Sequence, residues 1–421
     1  MKVYKFGGAS IESPAAMRRL FPIIQNATTS LIIVVSAYGK TTNALEKVAA
    51  AASAEDKITA LSLLQDLEEA HNAYAKEVLS SEIYNATKEK LEAFYTEIHW
   101  AIDDGAIQSK SYVYDQIVCI GEVLSTTIFS AYLQSEGIQN KWLDARDLIR
   151  TNSNYKDPDV DIAFSTQQVQ DKVTPALQEF GVVVSQGFIG STDENNSTTL
   201  GREGSDYSAA LFASMLGAAS VSIWKDVKGL YNADPRLFPS AVKIDEITYY
   251  EVIEMAYYGA QVIHPKTIKP LENAKIPLYV KCFLDPSLPG TCIKKETDTF
   301  VYPPIIVLKK NQTLIQITSK DFSFITEDNI STIYNLFVQH QVKMNLIQNA
   351  AISLVVCVEQ IEDKLNPLIA DLENNYKVIK NDDVQLLTIR HYTTSSLEEN
   401  TKGRNTLLEQ KTRNTVRVVL K

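Results

Sequence analysis

Residues Thr198–Asp206, TTLGREGSD, decide how this chain is read. The run before them, VVVSQGFIG (182–190), has the look of a buried strand ending in glycines, and the run after them, SDYSAALFASMLGA (205–218), has helical composition and periodicity. A strand, a glycine-rich turn and a helix N-terminus make an anion site. The unpaired N–H groups of the first turn and the positive end of the helix dipole point at one spot. Arg202 adds a permanently charged planar fork suited to a carboxylate or a phosphate. Ser205 or Asp206 is the natural N-cap of that helix. An ordinary strand–loop–helix connection with surface charges would leave the same pattern.

The arrangement recurs at the N-terminus. A short apolar run, Val3–Tyr4, leads into Lys5-Phe6-Gly7-Gly8-Ala9-Ser10, and residues 14–25 read as a helix with Pro14 in its first turn. Two adjacent glycines let backbone approach a phosphate closely. Lys5 would project from the strand end toward it. The spacing fits neither GxxxxGK[ST] nor GxGxxG.

Together the two loops resemble the amino-acid kinase fold, and more closely aspartate kinase, whose motifs are similar to KFGG[TA]S and TTLGRxGSD. Four further segments carry the resemblance: SAYGKTTN (36–43), Gly121-Glu122, WKDVKGLYNADPR (224–236) and GAQVIHP (259–265). It spans about 290 residues in the family's order. A weaker resemblance to the family's ACT regulatory region covers the rest.

Composition agrees with that size. At 421 residues with 45% hydrophobic content, two or three domains with real cores are expected. A net charge of −10 without long runs argues against a nucleic-acid surface. Cys119, Cys282, Cys292 and Cys357 show no metal spacing and read as small buried hydrophobes in a reducing compartment. No signal peptide and no apolar run of membrane-spanning length is seen, so a soluble cytoplasmic protein without membrane partners is expected.

Apolar runs at Leu31–Val35, Val182–Ser185, Val221–Trp224 and Leu278–Val280 alternate with helical patterns, which indicates an α/β fold with a mainly parallel central sheet covered on both faces. Residues 43–134 read as a mostly helical excursion. Near residue 300 the composition turns polar and Pro303-Pro304 stops regular structure, so a catalytic domain over 1–300 and a regulatory region over 301–421 are expected. In the latter, strands at 305–309, 313–318, 343–348, 352–358 and 384–390 and helices at 327–340 and 362–374 suggest a ferredoxin-like α+β unit. This resembles an ACT domain. The tail is too short for a second complete unit and supplies one strand within 413–420, giving a partial second unit built from the region's first and last strands.

The resemblance implies transfer of the ATP γ-phosphoryl group to the side-chain carboxylate of L-aspartate, with Mg²⁺ as the companion ion. An aspartate side chain ordinarily titrates at about 3.9, so at neutral pH it is already ionised and needs no general base. The site must supply alignment and positive charge, so no His or Cys is expected to be essential. Lys5 would stabilise the transferring group, and Gly7, Gly8 and Ser10 would cradle phosphate. Arg202 would hold a substrate carboxylate, Glu122 would pair with the α-ammonium, and Thr42 and Ser205 would lie on the substrate side, with Ser36 and the competing register Thr41 beside them. Asp206 could cap its helix, orient Lys5, or do both. Lys225, Asp226, Tyr231, Arg236, Gln261 and Val262 would line the nucleotide, Asp226 reaching Mg²⁺ through water; no residue is assigned as a direct metal ligand. A homodimer joined through the regulatory region is expected.

Departures from the family pattern sharpen the expectations. Ala9 removes a hydroxyl, and Gln261 stands where the family usually has Lys, which predicts weaker ATP affinity. Glu203 stands where Gly is frequent, and its side chain is expected to point outward. In the regulatory region, Thr326-Glu327-Asp328-Asn329-Ile330 lacks the family's Gly, and Asn345 and Ala350–Ala351 meet its acidic effector contacts, which predicts weak or absent inhibition by lysine or threonine. Glutamate and acetylglutamate kinases, and a non-catalytic amino-acid-binding regulator, are the competing readings. The combined motifs and the joint retention of Lys5, Glu122, Arg202 and Asp206 argue against them.

Overall fold

The computed structural model describes residues 1–105, 107–261, 263–297 and 301–421. Its first sheet has eight strands in the order Glu246–Thr248, Thr291–Lys294, Leu278–Cys282, Val221–Lys225, Lys2–Phe6, Leu31–Val35, Val182–Gln186 and Lys141–Leu143. Every neighbouring pair is parallel except Leu278–Cys282 with Thr291–Lys294. All five side chains of Leu31–Val35 are buried, as a strand covered on both faces requires.

Local sequence sets the helices. Pro14–Gln25 starts with Ser13 accepting from the Ala16 N–H at 3.2 Å and with Pro14 in the first turn. Ile162–Phe180 is capped by Asp161 and ends at Gly181, whose φ of 74° is left-handed. The excursion between strands comprises Thr41–Ser53, Lys57–Val78, Ser81–Asp103, Lys110–Val118 and Ile120–Ser135. Its inner faces share one apolar core with the sheet, through Leu45, Leu64, Leu91, Ile117 and Phe129.

One expectation needs correction. The helical stretch Lys110–Ser135 is long and apolar enough to cross a membrane, contrary to the reading that no apolar run reaches that length. Its most apolar window is 94% buried inside the protein, so its apolar side chains are core.

The second sheet has six strands, antiparallel throughout, in the order Met344–Asn349, Ser353–Glu359, Ile305–Ser319, Tyr376–Arg390, Thr415–Leu420 and Thr406–Lys411. Helices Glu327–Gln339 and Glu362–Asn375 pack Ile333, Phe337, Leu368 and Leu372 onto Ile315, Ile317 and Val356. The stretches read as separate strands at 305–309 and 313–318 are one strand, with register shifts between Lys309 and Leu314. The strand read at 384–390 begins at Tyr376, because its polar half, around Lys377 to Asp383, pairs with the other end of the long strand. The tail holds more than one strand: a helix at Thr394–Thr401, begun by a Thr393–Ser396 capping box, precedes the final hairpin. Neither the Ser/Thr-rich helix nor the edge strand TLLEQK carries an apolar stripe for periodicity to find.

The chain divides into two compact units. The second contains the C-terminal sheet and also Tyr231–Val242 and Glu254–Gln261. Within it the Ile306 N–H donates to the Asn232 carbonyl at 2.7 Å, Arg390 meets Glu254 at 2.6 Å, and Arg417 lies over the Tyr258 ring.

Candidate active site

The site lies in the first unit, in a cleft of about 680 Å³ beyond the carboxyl ends of the central parallel strands. Lys5 is one residue from the end of its strand and Lys225 is the last residue of the neighbouring one, so both ammonium groups reach the same edge. Phe6 stacks on Trp224 within the core. Gly8 is required by close approach: a Cβ there would stand 2.7 Å from the Ala37 carbonyl oxygen.

The helix after TTLGREGSD begins at Gly204, with Glu203 at the N-cap position in a left-handed conformation, φ 54°. Ser205 and Asp206 are therefore first-turn residues, not caps, and their side chains are free for the cleft. The Asp206 carboxylate lies 2.7 Å from Lys5 Nζ and 3.7 Å from Lys225 Nζ. Burial opposes its ionisation, but the two lysines prevail and hold the carboxyl below its usual range. Ser205 Oγ donates to Glu122 Oε1 at 2.9 Å. Glu122 is buried in the first turn of Ile120–Ser135, and that burial pushes its carboxyl up to about 8 despite Ser205 and Lys5. Gly187 makes this packing possible, since a Cβ there would fall 2.6 Å from Ser205 Cα.

Other contacts hold the loops. Ser125 Oγ donates to the Ser36 carbonyl at 2.8 Å. Thr41 Oγ1 lies 3.3 Å from the buried His71 ring, which burial keeps neutral by pulling its pKa down to about 4. Buried Asp115 accepts from the N–H groups of Lys156 and Thr199 at 2.9 and 3.0 Å and from Thr199 Oγ1 at 2.6 Å. Glu203 does not point outward as expected: the left-handed turn aims its carboxylate at the next helix, where it accepts from the His264 N–H at 2.9 Å.

With this geometry stand the comparisons. The amino acid kinase family model matches residues 1–282. Lysine-sensitive aspartokinase 3 of Escherichia coli K12 is 32% identical over 361 residues, covering 85% of this chain and 78% of that protein. The chain belongs to the amino acid kinase family, among the aspartokinases. A plant relative, the chloroplastic bifunctional aspartokinase/homoserine dehydrogenase 2 of Arabidopsis thaliana, is 33% identical over 69% of this chain, which spans about a third of that longer protein. Among solved structures, E. coli aspartokinase III with lysine and aspartate aligns over all of this chain and 95% of its own, with TM-score 0.84 and 27% identity. The same enzyme with aspartate and ADP aligns over all of this chain and 96% of its own, with TM-score 0.80 and 28% identity.

Of the residues singled out from the family's motifs, Lys5, Gly7, Gly8, Ser10, Ser36, Thr42, Glu122, Arg202, Ser205, Asp206, Lys225 and Asp226 all line the one cleft. Arg202 is exposed and forms no ion pair among the described residues. Tyr231, Arg236 and Gln261 fall in the second unit, where Arg236 is paired with Asp234 at 2.8 Å. Val262 lies outside the described residues. Sequence reasoning missed Asp115, His71, Tyr114 and Lys156. The first two are polar residues on otherwise apolar helix faces, and Lys156 sits in a turn-rich stretch with no period.

Proposed function

We propose that the protein transfers the γ-phosphoryl group of ATP to the side-chain carboxylate of L-aspartate, giving 4-phospho-L-aspartate and ADP. It would act in the cytoplasm, as a homodimer joined through its regulatory region, at the first step of the branch toward lysine, threonine and methionine. The observation that carries this reading is the shared cleft: Lys5 and Lys225 from neighbouring strands meet Asp206 from the first turn of Gly204–Leu216, beside the Glu122–Ser205 pair and Arg202.

The chemistry follows from charge. The acceptor carboxylate attacks in its ionised form, so the site needs alignment and cations rather than a base. Lys5 would sit against the passing phosphoryl group, oriented by Asp206. Gly7, Gly8 and Ser10 would hold phosphate oxygens, and Lys225 would serve the nucleotide. Arg202 would take a substrate carboxylate, with Thr42 beside it, and Glu122 would take the α-ammonium. Among the described residues no group of three or more His, Cys, Asp or Glu is arranged to hold an ion. The donor set therefore fits a Mg²⁺ carried by the nucleotide's phosphates, with Asp226 contributing through water. When bound, that ion would neutralise phosphate charge.

A coupled ADP-release assay with aspartate, glutamate and acetylglutamate tests this. Turnover is expected with aspartate and Mg²⁺-ATP alone. Preference for either other acceptor, or no acceptor-dependent ADP, would overturn it.

A further inference from the structure

Lys156 stands at the mouth of the cleft with a backbone φ of 75°, a conformation that side-chain-bearing residues rarely adopt. Two contacts hold it there. Its N–H donates to the fully buried Asp115 carboxylate at 2.9 Å, and its ammonium lies 4.1 Å from the centre of the Tyr114 ring. Tyr114 is fixed in turn by its hydroxyl, which donates to Glu46 at 2.7 Å.

The same Asp115 carboxylate binds Thr199, so one buried group sets the Lys156 turn in register with TTLGREGSD. The two segments touch: a Cβ on Gly201, the residue before Arg202, would lie 3.2 Å from the Lys156 carbonyl oxygen. Lys156 thus belongs to the Arg202 side of the cleft.

Charge says what it does there. Lys5 and Lys225 share Asp206 and face the phosphate loop. Glu122 is the buried carboxyl that would ionise to take an ammonium. An acceptor with one ammonium and two carboxylates needs two cations beside that anion. Arg202 is one, and Lys156 is the cation its neighbouring loop presents. We infer that Lys156 is a specificity-determining residue, supplying the second positive charge that favours a dicarboxylic amino acid. This rests on the proposed aspartate reaction.

The test compares Lys156→Gly and Lys156→Met with the wild type in the ADP-release assay. Glycine suits a φ of 75°, so Lys156→Gly should melt no lower than wild type, which separates charge from folding. In both variants KM for aspartate should rise about fivefold or more while KM for ATP changes less than about twofold. Added salt should raise the aspartate KM of the wild type more than that of either variant. An unchanged aspartate KM in Lys156→Gly, or equal rises for aspartate and ATP, would overturn the inference while leaving aspartate as the substrate. A wild type inactive on aspartate would remove both.

Discussion

Lys5 and Asp206 come from two motifs far apart in the chain, and their side chains meet at 2.7 Å with the carboxylate almost fully buried. The pair does two jobs. It aims the ammonium into the cleft, and it keeps a buried carboxylate compensated. Removing Lys5 leaves Asp206 only the more distant Lys225, and removing Asp206 leaves two lysines without their shared carboxylate. Lys5→Met should lower stability by roughly 3 kcal/mol, read as a denaturant midpoint shift, and Lys5→Met with Asp206→Asn should recover most of that loss. Activity should stay low in both variants. Recovery of turnover along with stability would mean that Lys5 is structural.

Glu122 predicts a pH dependence. Burial raises its carboxyl to about 8, so the free enzyme holds a proton there at pH 7. Pairing with a substrate ammonium requires the ionised form. Aspartate affinity should therefore rise about fivefold from pH 7 to 8 and level off, about tenfold above its pH 7 value, beyond about pH 9. Titration calorimetry should register proton release on binding at pH 7. The stability sign runs the other way: a carboxyl whose folded pKa lies above its unfolded value favours the fold below about 4.3, and that contribution is lost as pH rises through about 8. Glu122→Gln should remove both slopes. An unaltered affinity profile in that variant would place the ammonium elsewhere.

Gly187→Ala should be among the most damaging single methyl additions. Its Cβ would meet Ser205 Cα at 2.6 Å, a backbone contact that cannot swing aside. Displacing the first turn of Gly204–Leu216 moves both Ser205 and Asp206, so kcat should fall about a hundredfold or more even where the protein folds. Circular dichroism with kinetics checks this, and near-normal kcat would show that the turn tolerates a shift.

These residues show what the sequence could and could not reveal. TTLGREGSD and KFGGAS mark backbone conformations that glycine and a helix start impose locally, so both loops and Lys5, Arg202 and Asp206 were legible. The parallel sheet was legible for the same reason, through continuous apolar runs such as LIIVV. Asp115 was not, because its role depends on Thr199 lying 84 residues away and on the turn at Lys156. Nor was the start of Tyr376–Arg390: its polar half pairs with a strand about 60 residues earlier, and pairing, not hydrophobic period, makes it a strand. The outward-pointing Glu203 failed because the left-handed N-cap redirects the side chain.

Inhibition by lysine should be weak or absent. Asn345 has both ends of its amide engaged, accepting from Lys309 at 2.9 Å and donating to Gln312 at 2.7 Å. The N-terminus of Glu327–Gln339 is closed by the Thr326–Asn329 capping box and carries Glu327 and Asp328, which repel an effector's carboxylate. Assays with up to about 10 mM lysine should leave most activity, ordinary weak sites being half-filled at such concentrations. Strong inhibition at 1 mM or about that level would contradict this.

The central claim is that Lys5 serves phosphoryl transfer to a carboxylate, and the acyl phosphate product can be caught directly. Enzyme, Mg²⁺-ATP, L-aspartate and hydroxylamine should yield aspartyl hydroxamate in step with ADP, and Lys5→Met should reduce both together by about a hundredfold or more. ADP release without hydroxamate, or hydroxamate undiminished in Lys5→Met, would contradict the account.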